Sequence, residues 1–262
     1  MDLNLDGARA IVTGGSRGIG LAVARGLLAE GAKVALAARG EQRLAAAAET
    51  LRGDVLTIPA DTTDDASVRA MADQVVRAWG GVDVLVNAAA QPSFASAPAA
   101  LADLAEGDVQ ADFDTKVLGY LRCARAVAPH MAAQGWGRIV NVSGLNARRT
   151  GSLSGTIRNV AVAALTANLA DELGPHGIGV TVVHPGLVET ERTAGLVAAR
   201  ARETGSTPER VRADLAATTS LRRLITAAEV ADVIVFLSSR RATAIVGDAV
   251  SVAGGHRGVV HY

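Results

Sequence analysis

Short apolar runs without polar alternation recur along this chain, separated by longer amphipathic runs. Ala10-Ile11-Val12, Val34 to Ala37, Val55 to Pro59 and Val82 to Val86 read as strands. Leu21 to Leu28, Leu44 to Leu51 and Val68 to Trp79 read as the helices between them. A strand that is apolar on both faces must be covered on both faces, and strand–helix–strand order makes neighbouring strands parallel. The second half repeats the scheme. A helix from about Phe113 to Met131 precedes a strand at Arg138 to Val142. A helix at Asn159 to Leu173 then leads to a strand at Val180 to Val183, which ends at Pro185-Gly186. Val230 to Leu237 and Ala249 to Val252 read as the last helix and strand. The pattern predicts a doubly wound, parallel α/β sheet of about seven strands with helices on both faces. No linker divides the chain, so residues 1–262 are expected to form one domain.

Composition narrows the function classes. With 26 basic and 26 acidic side chains the formal charge is zero, so the basic excess that phosphate neutralisation needs is missing and nucleic acid is not an expected partner. Cys123 is the only cysteine. It excludes an internal disulfide and a cysteine metal cluster, and its helical setting reads as a small buried thiol. The spacing of His130, His176, His256 and His261 suggests no metal site. The acidic start, Met1-Asp2-Leu3-Asn4-Leu5-Asp6, carries no apolar signal segment, and no apolar run is long enough to span a bilayer. A cytoplasmic protein is the expectation. The stretch from Glu189 to Leu224 lacks strand character and follows a strand's carboxyl end, the position of a lid over a cleft.

The strongest local motif is Thr13-Gly14-Gly15-Ser16-Arg17-Gly18-Ile19-Gly20, between the first strand and the first helix. Glycine there allows a tight turn, close approach to a pyrophosphate and helix-on-strand packing. With this spacing the chain resembles the short-chain dehydrogenase/reductase family. Asn87-Ala88-Ala89-Ala90 matches the family's Asn-Ala-Gly segment, with Ala89 in place of glycine. Asp61, followed by Thr62, stands where the family contacts adenine. Pro185-Gly186-Leu187-Val188-Glu189-Thr190 matches the Pro-Gly-x-x-x-Thr segment beside the nicotinamide. Glu172 to Ile178 and Ala253-Gly254-Gly255 are also similar to family segments. The resemblance covers the whole chain. It implies a Rossmann-type fold, a nicotinamide cofactor held by these residues, a small-molecule substrate, and assembly as a homodimer or homotetramer.

Charge separates the two nicotinamide cofactors. A ribose diol is gripped by a carboxylate at the end of the second strand, but that position is Ala38, followed by Arg39, and Arg17 lies in the glycine turn. Two guanidiniums suit a 2′-phosphate, so NADP(H) is expected over NAD(H). Both also read as solvated surface arginines.

The resemblance breaks at the catalytic centre. The family's centre is a Ser, a Tyr with a Lys four residues on, and an Asn from the preceding helix. Counting back from Glu172-Leu173-Gly174 puts the tyrosine position on Gly155 and the lysine position on Asn159. Tyr120 and Tyr262 are the only tyrosines, and Lys33 and Lys116 the only lysines. The asparagine position holds Lys116. Ser143 fits the serine, although the family often has it one place later, at Gly144. These replacements predict a pocket with empty space where the phenol stood and a displaced amine nearby.

Lys116 reads either as a rearranged general acid/base or as a structural cation, snorkelling out or paired with Asp112 or Asp114. Tyr120, one turn beyond it, reads as its partner or as a packed amphipath. Asn159 retains an amide for the ribose hydroxyls. Arg158 reads as an anion ligand or an interface residue, Arg148 and Arg149 as loop charges or carboxylate clamps, and His184 as a structural histidine. An NADP(H)-dependent oxidoreductase with a non-standard centre of Ser143, Lys116 and Asn159 is the leading expectation, its hydride acceptor a carbonyl, imine or activated alkene. A lyase, an isomerase or a catalytically silent NADP-binding protein is the alternative.

Overall fold

The structure, a computed structural model, describes residues 2–90 and 101–257; His261 and Tyr262 lie outside them. The elements follow one another as β1 (Arg9–Thr13), α1 (Gly18–Ala29), β2 (Lys33–Ala38), α2 (Glu41–Glu49), β3 (Val55–Pro59), α3 (Asp65–Trp79) and β4 (Val84–Asn87). The second half holds α4 (Glu106–Phe113), α5 (Gly119–Ala133), β5 (Gly137–Val142), α6 (Leu153–Leu173) and β6 (Ile178–Pro185). Beyond these come β7 (Val188–Glu189), α7 (Thr193–Thr204), α8 (Pro208–Ala217), β8 (Ile225–Thr226), α9 (Ala227–Leu237) and β9 (Ala249–Val252).

Seven strands form one parallel sheet in the order β3-β2-β1-β4-β5-β6-β9. The order reverses between β1 and β4, and ligand crevices open at such a switch point, beyond the strands' carboxyl ends. Each strand sends alternate residues to opposite cores. Ala10, Val12, Val34, Leu36, Val84 and Val86 pack with α1, α2 and α9. Ile11, Ala35, Ala37 and Leu85 pack with α3, α5 and α6. Double-sided burial, at roughly 1.5–3 kcal/mol per large apolar side chain, is why these strands lack polar alternation.

The expected doubly wound, seven-stranded sheet is thus observed, with two local differences. The 113–131 span is not one regular α-helix: α4 ends at Phe113, Asp114–Leu118 is a π turn, and α5 runs on from Gly119. Helix α6 starts at Leu153, six residues ahead of the expected Asn159, because the Ser152 side chain caps it by accepting from the Gly155 N–H. The 189–224 stretch is two helices, α7 and α8, clasped by a short β7–β8 pairing. Among the described residues no helix is long and apolar enough to cross a membrane.

Candidate functional site

The glycine turn places its glycines by steric necessity. A Cβ on Gly14 would lie 2.7 Å from the Ala88 carbonyl oxygen, and one on Gly20 would lie 2.4 Å from that of Gly14. Gly18 differs: its φ is +54°, and its first neighbours, on Thr190 and Glu191, lie 3.8 and 3.9 Å away. Its α face is therefore open towards the cleft. Helix α1 begins here with no side-chain cap and no acidic residue in its first turn. Its leading N–H groups thus lack a capping side chain, and the nearby carboxylate is that of Glu191, 3.9 Å from the Cβ position of Gly18. Uncapped N–H groups behind an open glycine are the cradle a dinucleotide pyrophosphate requires, and the residues present fit the group.

A cleft of about 300 Å³ runs from this turn across the switch point. Gly14, Ser16, Arg17, Gly18, Ile19 and Gly20 line one wall, and Arg39, Asp61 and Thr62 line the far end. Ala88, Ala89, Thr190, Lys116 and Ser143 are also among its lining residues. Asn87, Asn159, Pro185, Gly186 and Val188 are not among its lining residues. Asn87 is fully buried and donates from Nδ2 to Asn141 Oδ1 at 3.0 Å. Gly186 donates its N–H to the Val252 carbonyl at 3.1 Å. The Val188 carbonyl accepts from Thr193 Oγ1 at 3.0 Å.

Around Arg39 the cleft carries Arg17 and Arg43 as well as the Asp61 carboxylate. Arg17 is pushed below the usual guanidinium value by burial and then by the nearby Arg43, against a smaller opposing pull from Glu191. Arg43 also lines the cleft and was not singled out from the sequence; its place one helical turn after Arg39 was the available signal. Burial pushes the Asp61 carboxyl up, but hydrogen bonds from Thr63 and the charges of Arg39 and Arg122 outweigh it, leaving it lower than usual.

At the other end, the π turn carries Lys116 onto the cleft wall while leaving it only 5% exposed. Such turns, with one extra residue per turn, re-aim side chains within otherwise regular helices. Lys116 Nζ donates to the Ser143 carbonyl at 2.8 Å and to Asn159 Oδ1 at 3.2 Å. Ser143 Oγ in turn donates to the Asn159 carbonyl at 3.1 Å. Ser143, Lys116 and Asn159 are therefore joined by hydrogen bonds. Neither proposed acidic partner reaches the lysine. Asp112 pairs with Arg158 at 2.6 Å and Asp114 with Arg122 at 2.7 Å. Burial, reinforced by Arg158 and opposed by Asp112, pushes the Lys116 ammonium down to about 7.

At Gly155 the backbone is crowded where a side chain would begin: a Cβ there would stand 2.7 Å from Ser152 Oγ and 3.0 Å from Asn146 Nδ2. Nothing in the sequence flagged Asn146, which sits on the 145–148 turn. Tyr120 is not Lys116's partner: it is fully buried and donates to the Val142 carbonyl at 2.9 Å, and burial raises its phenol. Arg148 donates to the Ala249 carbonyl, whereas Arg149 is exposed and contacts Asn146 and His256. Arg158 is held by Asp112, whose same carboxylate oxygen accepts from Ser154 Oγ. Cys123 is buried, its thiol pushed up to about 12.

Sequence comparison agrees with this architecture. Residues 8–201 match the family profile described as short chain dehydrogenase, and the chain belongs to that family of oxidoreductases. It is 34% identical over 250 residues to the short-chain reductase protein NovJ of Streptomyces niveus, covering 94% of this chain and 92% of the relative. It is 34% identical over 254 residues to the cis-4-hydroxycyclohexanecarboxylate dehydrogenase of Sinomonas cyclohexanicum, covering 95% and 96%. Among solved structures, the L-sorbose reductase of Gluconobacter frateurii, crystallised with NADPH and L-sorbose, superposes with a TM-score of 0.92 at 30% identity. That match covers 99% of this chain and all of the other.

Proposed function

We propose that this chain is an NADP(H)-dependent oxidoreductase with a rearranged catalytic centre, acting on a carbonyl, imine or activated alkene. The observation that carries the reading is one continuous cleft with arginines at its adenosine end and Lys116 at its other end. In this reading Gly14, Ser16, Gly18, Ile19 and Gly20 hold the pyrophosphate, with Ala88, Ala89 and Thr190 along the opposite wall. Arg17 and Arg39, joined by Arg43, hold the 2′-phosphate, while Asp61 and Thr62 border the adenine. Asn87, Pro185, Gly186 and Val188 support the nicotinamide end from behind. When bound, the cofactor supplies or accepts the hydride.

The chain's own groups handle the proton. Relative to the family pattern, amide and ammonium have exchanged positions: the cation comes from 116 and the amide from 159, and they remain in contact at 3.2 Å. Lys116 is the acid/base, Asn159 and the Ser143 carbonyl orient its nitrogen, and the ammonium stabilises charge developing on a substrate oxygen. As a general acid in reduction Lys116 must be protonated, so turnover holds below pH about 7 and falls above it; in oxidation the dependence reverses. A pH–rate profile in both directions checks the sign. Helices α7 and α8 form the lid of the same reading. Self-association as a dimer or tetramer is supported by the exposed apolar stripe Leu153, Ile157 and Val160 on α6 and is tested by sedimentation.

Transfer of deuterium from 4-deuterated NADPH to a product, in a panel of carbonyls and imines, tests the redox assignment. NADPH binding without any transfer would favour the second reading, a non-redox or silent NADP-binding protein. The specific support for that reading is Gly155, where Ser152 and Asn146 crowd the point at which a side chain would begin.

A further inference from the structure

We infer that Lys116 is also a nucleophile, forming a reversible imine with an aldehyde or ketone admitted to the cleft. This does not rest on the redox reading, since it needs no cofactor.

The argument begins with what surrounds the nitrogen. Lys116 is buried, yet it lines the cleft. Its two hydrogen-bond partners are neutral carbonyl oxygens, those of Ser143 and the Asn159 amide. Among the described residues no carboxylate is bonded to it, although the charge of Asp112 opposes the loss of its proton. On its own helical run, Asp114 is bound to Arg122 and Asp112 to Arg158. From α6 the charge acting on it is Arg158, a cation. A desolvated lysine beside a second positive charge is the setting in which an amine loses its proton and becomes nucleophilic near neutrality. The direction given above for its ammonium agrees.

The geometry also leaves the reactive orbital unused. A neutral amine has two N–H bonds and one lone pair. The two acceptors at 2.8 and 3.2 Å take the two N–H bonds, and the lone pair is left for a carbonyl carbon. Its attack forms the C–N bond as the π pair moves to oxygen. A proton passes from nitrogen to that oxygen, giving a carbinolamine, and loss of water leaves a C=N bond that is protonated to an iminium. Hydrolysis reverses every step, so no oxidant or reductant is consumed. The iminium draws electrons from an adjacent C–H or C–C bond, which would give the cleft enolisation or aldol-type chemistry.

The chain is suited to a test because it has only two lysines. Lys33, half-exposed and 3.4 Å from Asp54, is the internal reference. The intact protein without nucleotide is incubated with propanal and sodium cyanoborohydride at several pH values, then mapped by peptide mass spectrometry. Propylation at Lys116 is expected to exceed that at Lys33 by about 10-fold or more at pH 7, since each unit of amine pKa changes the free-base fraction about tenfold. The Lys116→Met variant should lose that adduct alone. Lys116 left unmodified while Lys33 reacts, or both lysines sharing one pH profile, overturns the inference. Deuterium transfer from NADPH with Lys116 unmodified would remove the imine and leave the redox reading standing; an adduct without transfer does the opposite.

Discussion

The two ends of the cleft follow their family differently. At the glycine turn, every position that must be small is small, and the arginines stand where a phosphate would be met. At the chemical end, the reading proposed above gives the family's Tyr and Lys positions to Gly155 and Asn159 and its asparagine position to Lys116. The first end is held by backbone sterics, where substitution collides with main chain and cannot be compensated. The second is held by side chains, and side chains can trade places across a contact. The Lys116–Asn159 contact keeps an amine and an amide within hydrogen-bonding distance, in the proposed reading with the helices that supply them exchanged.

The sharpest way to break this contrast is to force the exchange back. Asn159→Lys alone puts a second ammonium beside Lys116 in a buried site and should cost about 3–5 kcal/mol in urea denaturation. Adding Lys116→Asn should recover more than half of that loss. A double variant no more stable than the single one would show that the two positions are not coupled.

Next in size, Lys116→Met should leave NADPH affinity within a few-fold and lower turnover by about 10²-fold, the scale of one general acid. Unchanged turnover would make the lysine purely structural. The same variant has a thermodynamic signature. The folded value near 7 lies below the 10.5 of a free lysine, so the unfolded chain binds the extra proton between those limits. Wild-type stability should therefore rise with pH across that window, a rise the methionine variant lacks.

At the other end, Arg39→Ala should weaken NADPH by roughly 10-fold or more while sparing NADH, the loss expected for charge-assisted hydrogen bonds to a phosphate. Equal weakening of both would remove the NADP preference. The smallest effect belongs to Gly155→Ala. Its methyl would press on the Ser152 cap and the Asn146 amide, costing about 1 kcal/mol of stability by thermal melting. No cost would mean that Asn146 swings freely and leaves Gly155 uncrowded.

Much of this was legible in the sequence. The strands and the glycine turn follow from local pattern and spacing, whereas the grouping of Ser143, Lys116 and Asn159 came from the family resemblance. Other features did neither. The π turn at Asp114–Leu118 has no compositional mark, because it depends on how α4 and α5 seat against α6. Arg158 and Asp112 are far apart in sequence, and only packing made them partners and so denied Lys116 a carboxylate. Asn146 reaches Gly155 because Ser152 starts α6 early, which the apolar periodicity did not reveal.

What the sequence determined by itself is the sheet, its winding and the anion-ready turn, since double-sided apolar strands and sterically required glycines admit few other arrangements. The tertiary structure alone decided the character of Lys116. Whether an amine is an inert surface cation or a reactive group depends on its water, its acceptors and its neighbouring charges, and those come from segments that meet only in the fold.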